Sequence, residues 1–161
     1  MGKENNNTTL VVFSGDLDKA IASFIIATGS AAMGGQVTMF FTFWGLNILR
    51  KENYTSKKKK SWMEKMFGKM MPKGPNKLGI SKMNMGGLGS RMMKKVMKQK
   101  NISTLPELMQ LAQELDIKIV ACTMSMDVLG IGKDELIDGI EYGGVATYLG
   151  EAYDAKVNLF I

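Results

Sequence analysis

The stretch LVVFSGDLDKAIASFIIATGSAAMGGQVTMFFTF, residues 10–43, decides the fold. Its first four residues are apolar and rich in valine, and the polar turn Ser14-Gly15-Asp16 follows them at once. A short apolar run that ends in turn-forming residues is typical of a buried strand. The sequence therefore predicts a first strand over residues 10–13.

The second half of the stretch continues with a helix and another strand. Apolar residues recur at helical spacing between 20 and 28, with Asp16 or Asp18 as candidate cap. Residues 36–43 are rich in β-branched and aromatic types, which favours a second strand. The order strand, helix, strand predicts a βαβ unit and a parallel sheet.

The same pattern returns further along the chain. A third strand is predicted at residues 118–122, where it ends on Cys122, and it is entered from a helix capped by Ser103 or Thr104. The remaining predicted elements are a short helix to 49, helices over 91–100 and around 134–138, a strand at 140–142, a helix to 152 and a strand at 157–161. The chain fits one domain, 1–161.

Residues 51–89 interrupt this pattern as an insertion rich in lysine and methionine. Between Arg50 and Lys100 lie 16 of the 21 basic residues and 2 of the 15 acidic ones. A turn or two of amphipathic helix is predicted around Trp62. The segment, including the lysine run 57–60, is interpreted as a solvated loop, a dock for an acidic partner, or a membrane-surface element. Scarce arginines and aromatics do not favour nucleic-acid binding.

A membrane span is an alternative for residues 20–49, which carry no charge. Glycines at 29, 34 and 35 interrupt the stretch, and buried parallel strands with their helices are also nearly continuous in apolar residues. Residues 1–9 are polar and do not predict a signal peptide.

Cys122 is the single cysteine, and the chain has no histidine. An intramolecular disulfide is therefore excluded, and a cytoplasmic location is expected, with membrane association left open. Ser-His-Asp, Cys-His and His-ligated zinc chemistries are excluded as well, and no metal site is predicted.

The predicted strand ends carry the candidate site. In a parallel sheet they meet at one edge, where the dipole and free amides of a following helix favour a thiolate at Cys122. The alternative is an inert, buried structural cysteine. The expected neighbours are Ser14, Gly15, Asp16, Phe43, Trp44, Gly45, Thr123, Met124, Ser125, Gly143 and Gly144.

These segments, taken in order, resemble the DsrE/DsrF-like family. The resemblance rests on CTMSMD at 122–127, SGDLDKA at 14–20, FWG at 43–45 and GGVA at 143–146. It implies a flavodoxin-like, three-layer α/β sandwich with a mainly parallel sheet of about five strands. It also implies subunits that form homo-oligomers.

The resemblance further implies that Cys122 carries sulfur as a persulfide and needs no cofactor. TusA-like carriers and rhodanese-like proteins are the implied relay partners. Amides at the helix start, and the hydroxyls of Thr123 or Ser125, are expected to stabilise the anionic sulfur. A non-catalytic adaptor on the same fold, which binds through segment 51–100, is the alternative function.

Overall fold

The computed structural model describes residues 6–57 and 59–161. Residues 1–5 of the polar start and Lys58 of the lysine run lie outside this part of the chain. The five strands are β1 (Thr8–Val12), β2 (Val37–Phe41), β3 (Lys118–Cys122), β4 (Glu141–Gly143) and β5 (Val157–Phe160). They form one sheet in the order β4-β3-β2-β1-β5, and every pair is parallel. The predicted parallel sheet is confirmed.

Within the described residues, the strands are connected by six α-helices: α1 (Leu17–Ala32), α2 (Trp62–Met70), α3 (Leu88–Gln99), α4 (Leu105–Glu114), α5 (Thr123–Leu129) and α6 (Val145–Tyr153). Helix α4 begins where predicted, because Thr104 and Glu107 form a capping box. The amphipathic turn predicted around Trp62 is α2, and a second capping box at Ser61 and Glu64 starts it. The short helix expected after β2 is the 3-10 helix Phe43–Leu49.

The prediction of a helix around residues 134–138 is wrong. The chain makes only a 3-10 turn at Lys133–Glu135, and Leu136 then pairs antiparallel with Arg50 as an isolated bridge. Ile137 donates its amide to the carbonyl of Leu49 at 2.9 Å. Because these backbone groups bond across to another segment, they are not available to continue a helix.

The helices cover the two faces of the sheet unequally. Side chains of α1, α4 and α5 join the main core, which packs on the face that includes Leu10, Met39 and Ile119. Successive residues of a strand point to opposite faces. Val11, Phe40, Val120 and Cys122 therefore lie on the other face, where Tyr148 of α6 packs against them. The result is a three-layer arrangement with one helix as its third layer.

The uncharged stretch 20–49 divides among α1, β2 and the 3-10 helix Phe43–Leu49. Across the described part of the chain, no helix has the length and hydropathy needed to cross a membrane.

Arg50 and the segment that follows it are attached to the domain by several hydrogen bonds and ion pairs. Ser81 donates its amide to Asp18 at 2.8 Å, and its hydroxyl bonds to the same carboxylate. Arg50 itself is buried and pairs with Glu135 at 3.0 Å. Helix α2 packs against α5 but buries none of its own residues.

Candidate functional site around Cys122

Cys122 ends β3 and also occupies the N-cap position of α5. Its backbone lies directly opposite Gly143 in the parallel ladder with β4. The side chain is only 4% exposed, and its cluster contains Val11, Phe40 and Val120. The structure thus places the thiol at the predicted edge of the sheet but beneath a cover.

The cover over Cys122 is helix α6. Tyr148 packs on the cluster with its ring centroid 5.4 Å from that of Phe40, and its hydroxyl accepts a hydrogen bond from Thr9 Oγ1 at 3.5 Å. Lys118 Nζ bonds to Glu151 at 2.8 Å and thereby ties α6 to β3. No residue of α6 is itself buried. A cover held by so few contacts is expected to open more readily than the main core.

The two hydroxyls predicted to bond the sulfur are engaged elsewhere. Thr123 Oγ1 donates to the carbonyl of Gly143 at 3.4 Å. Ser125 Oγ lies 2.7 Å from Thr42 Oγ1 in a buried pair that joins the end of β2 to α5. Although Cys122 occupies the N-cap position of α5, its side chain makes no cap hydrogen bond to the amides of that helix.

The glycine pair next to Cys122 has two different surroundings. A Cβ atom on Gly143 would lie 2.7 Å from Thr147 Oγ1, whereas one on Gly144 would meet no atom within 4 Å. Met124 is exposed and points away from the core. The backbone of Gly143, beside the thiol, is therefore packed closely by α6, whereas the backbone of Gly144 is open.

The predicted residues at the ends of β1 and β2 form a separate cavity of about 540 Å³. Its lining includes four of the predicted residues, Ser14, Gly15, Asp16 and Trp44. The other lining residues are Phe13, Lys19, Asn47 and, from the end of α2 and just after it, Phe67, Met70, Met71 and Pro72. Gly15 is required there, because a Cβ would lie 2.7 Å from the Trp44 carbonyl oxygen. Cys122 is not among the lining residues.

Phe43 and Gly45 support this cavity and do not line it. The Phe43 ring centroid lies 5.5 Å from that of Phe13, and the Gly45 amide donates to the Phe13 carbonyl at 2.9 Å. The structure therefore divides the predicted site into two clusters, one around Cys122 and one at the β1 and β2 ends.

A second cavity, of about 460 Å³, lies beside Thr123 and is lined by Lys133 and Asp134 among others. Lys133 Nζ sits 4.7 Å from the ring centroid of Tyr142. Burial would raise the pKa of Asp134, but hydrogen bonds from the Lys57 amide and the Tyr54 hydroxyl, among others, hold that pKa below its usual range. Lys133 thus places a cation near the residue that follows Cys122.

Sequence reasoning missed Tyr148, Thr42 and the position of Lys133. Tyr148 lies four residues after Gly144, in the predicted last helix, but only the topology shows that this helix crosses to the face of Cys122. Thr42 directly follows β2, and a polar residue at a strand end was the available signal. Within residues 6–57 and 59–161, no group of three metal-ligating side chains comes together.

Comparisons with known proteins agree with this architecture. Residues 4–160 match the model of the DsrE/DsrF/DrsH-like family. The chain is 55% identical to the uncharacterized protein YrkE of Bacillus subtilis (strain 168), over 100% of both chains. It is 36% identical to the sulfur carrier protein DsrE2 of Allochromatium vinosum, over 98% of this chain and 99% of that one.

A crystal structure of the ychN protein from E. coli has a similar fold. It superposes with a TM-score of 0.54 at 9% identity and covers 96% of this chain and 99% of its own. At that identity the similarity concerns the fold alone.

Proposed function

Because the chain belongs to the DsrE/DsrF/DrsH-like family, we propose that it carries sulfur as a persulfide on Cys122. Family membership and the 36% identity to a sulfur carrier support a role in sulfur relay. The observation that ties this role to one residue is that Cys122 is the single cysteine and lies at the carboxyl edge of the parallel sheet. Ligands of such sheets bind at this edge.

The proposed transfer conserves electrons. The Cys122 thiolate attacks the outer sulfur of a donor persulfide, R–S–SH, so that a new sulfur–sulfur bond forms and the old one breaks. The products are Cys122–S–SH and the donor thiolate, R–S⁻. In the second step an acceptor thiolate attacks the outer sulfur in the same way and leaves Cys122 as a thiolate.

The surroundings of Cys122 suit a carrier. Its side chain lies among apolar residues, with 4% of its surface exposed, so a bound persulfide would be shielded from water and small oxidants. A second cysteine in the chain could displace the sulfur by forming an internal disulfide, but the sequence contains none. Release must therefore go to a thiol on another molecule.

The partners proposed for this release are TusA-like carriers and rhodanese-like proteins, in the cytoplasm. We also propose that the chain forms a homo-oligomer. Val145 and Leu149, one helical turn apart on α6, are exposed, as is Phe160 on the same face of the sheet. Adjacent apolar side chains on a helix that buries none of its residues are suited to contact with a second copy.

Intact-mass measurement tests the proposal. The wild-type chain and Cys122→Ser are each incubated with glutathione persulfide and separated from small molecules. The intact mass of each chain is then measured. We expect the wild type to gain the mass of one sulfur atom, a reductant to remove it, and the variant to gain none. Equal gain by both chains, or no gain by the wild type, would refute a persulfide on Cys122.

A second candidate function is a non-catalytic adaptor that binds an acidic partner or a membrane surface through segment 51–100. The observation in its favour is α2, whose Trp62, Met63, Met66 and Met70 are all exposed beside lysines. Apolar side chains under a basic face favour the surface of anionic membranes. Sedimentation with anionic vesicles, with lysines 57–60 changed to glutamine, tests it: unchanged binding argues against the electrostatic dock.

A further inference from the structure

Arg50 is buried to 1% exposure, and one of its three donor nitrogens has no partner among residues 6–57 and 59–161. Its Nη2 atom donates to Glu135 Oε2 at 3.0 Å and its Nη1 atom to Asn47 Oδ1 at 3.4 Å. Its Nε atom, although shielded from solvent, makes no hydrogen bond to any residue that the structure describes. A buried donor of a charged group costs free energy when it lacks an acceptor, so an acceptor oxygen beside Arg50 Nε would stabilise the fold.

Arg50 lines a cavity of about 370 Å³ between the body of the domain and the segment that follows it. This cavity is lined by five basic and two acidic residues. The basic residues are Arg50, Lys60, Lys65, Lys69 and Lys73, the acidic ones are Glu64 and Glu135, and the uncharged ones are Thr55, Ser56 and Gly68. The lining therefore carries a net positive charge of three.

Both carboxylates of the cavity are already engaged. Glu135 forms ion pairs with Arg50 and Lys60 and accepts a hydrogen bond from the amide of Gly132 at 2.9 Å. Glu64 accepts the amide of Ser61 at 2.6 Å in the capping box of α2. The carboxylates of the cavity thus do not neutralise Lys65 and Lys69, which are exposed on α2.

Lys65 and Lys69 are four residues apart on α2, so they lie on one face of the helix. Like charges at this spacing repel each other and destabilise a helix. In the described part of the chain, neither forms an ion pair with a carboxylate. Gly68 lies between them, and a Cβ there would meet no atom within 4 Å. The helix thus presents two uncompensated cations to open space.

We propose that this cavity binds a tetrahedral oxyanion with two negative charges, of the sulfate or phosphate type. Such an ion offers several acceptor oxygens, one for Arg50 Nε and others for Lys65 and Lys69. The Thr55 hydroxyl also lines the cavity and can donate. The site is separate from Cys122, and it does not depend on the sulfur-carrier function.

Isothermal titration calorimetry with sodium sulfate and with sodium phosphate tests the site, at an ionic strength held constant with sodium chloride. The double variant Lys65→Gln/Lys69→Gln removes two proposed ligands that are exposed on α2, so folding should be retained. The matched control is Lys95→Gln/Lys98→Gln, which removes the same charge from exposed positions on α3 outside the cavity.

We expect saturable binding of one anion per chain, weakened about tenfold or more by the α2 variant and unchanged in the α3 control. Cys122→Ser should bind the anion as the wild type does, which separates this site from the sulfur carrier. The sulfate and phosphate titrations show which of the two ions fits better. Absence of saturable binding to either ion, or equal weakening by both lysine pairs, would overturn the proposal.

Discussion

Cys122 lies directly opposite Gly143 in the parallel ladder between β3 and β4. The residue next to the thiol therefore carries no side chain, and the chain turns from it through Gly144 into the helix that covers the thiol. The two glycines beside the thiol differ in their surroundings. A Cβ on Gly143 would clash with Thr147, whereas a Cβ on Gly144 would meet no atom within 4 Å.

Gly143→Ala is expected to destabilise the protein by about 1–3 kcal/mol, because the new methyl group would overlap Thr147. Gly150→Ala, within α6, is the control, since its methyl group would enter open space. Urea unfolding of the two variants measures the difference. A similar loss of stability in both would mean that Thr147 moves aside without cost.

Tyr148→Ala should expose Cys122. Tyr148 is the α6 side chain packed against the cluster that holds the thiol, so its removal opens a path to the sulfur. We expect the folded variant to be alkylated by iodoacetamide about tenfold faster or more than the wild type, because opening of the cover costs less.

The control for this change is Tyr153→Ala on the same helix, where the side chain is 82% exposed. Its alkylation rate should equal that of the wild type. If Tyr148→Ala reacts no faster than this control, α6 does not limit access to Cys122.

The buried hydroxyl pair of Thr42 and Ser125 should behave as a coupled unit. Thr42→Val leaves the Ser125 hydroxyl without its partner and is expected to cost about 1–3 kcal/mol. The double variant Thr42→Val/Ser125→Ala should lose less than the sum of the two single changes. Strict additivity in urea unfolding would show that the two hydroxyls do not interact.

Glu135→Gln should change the dependence of stability on pH. Burial would raise the pKa of Glu135, but the Gly132 amide, Lys60 and Arg50 together hold it below its ordinary value of 4.5. A carboxylate with a lowered pKa stabilises the fold above that ordinary value, and this contribution is lost as the pH falls below it. The wild type should therefore lose stability between about pH 5 and pH 3 more steeply than Glu135→Gln.

At pH 7 the same variant should be less stable by about 3–5 kcal/mol, because the buried Arg50 loses its counter-charge. Asp138→Asn removes a carboxylate that is 96% exposed and is the control, with an expected loss of under about 1 kcal/mol. Parallel pH profiles for the wild type and Glu135→Gln would contradict the assignment of the ion pair.

Local patterns were enough to predict the sheet and most helices. The strand at 118–122 was predicted because its apolar run is uninterrupted, and α4 because its cap is encoded within four residues at Thr104 and Glu107. The prediction of a helix at 134–138 is wrong because the backbone there pairs with a distant segment, around Arg50, in an antiparallel bridge.

Local patterns could not predict the pairings in the site either, because these pairings join residues far apart in the sequence. The ion pair of Arg50 with Glu135 joins residues 85 positions apart, and nothing near either residue indicates the other. The burial of Cys122 depends on the return of the chain from β4 to β5 across the opposite face, which carries Tyr148 over the thiol. The strand-end pattern located Cys122, but the cover could be seen only in the fold.

Loading and discharge of Cys122, both followed by intact mass in one experiment, test whether this cysteine accepts sulfur and passes it on. The chain is loaded with glutathione persulfide, separated from the donor and then mixed with an excess of an acceptor thiol. We predict that one sulfur atom is gained on Cys122 and then passes to the acceptor, which restores the original mass, while Cys122→Ser never changes. No gain of sulfur by the wild-type chain, or an equal gain by Cys122→Ser, would contradict a sulfur relay through Cys122.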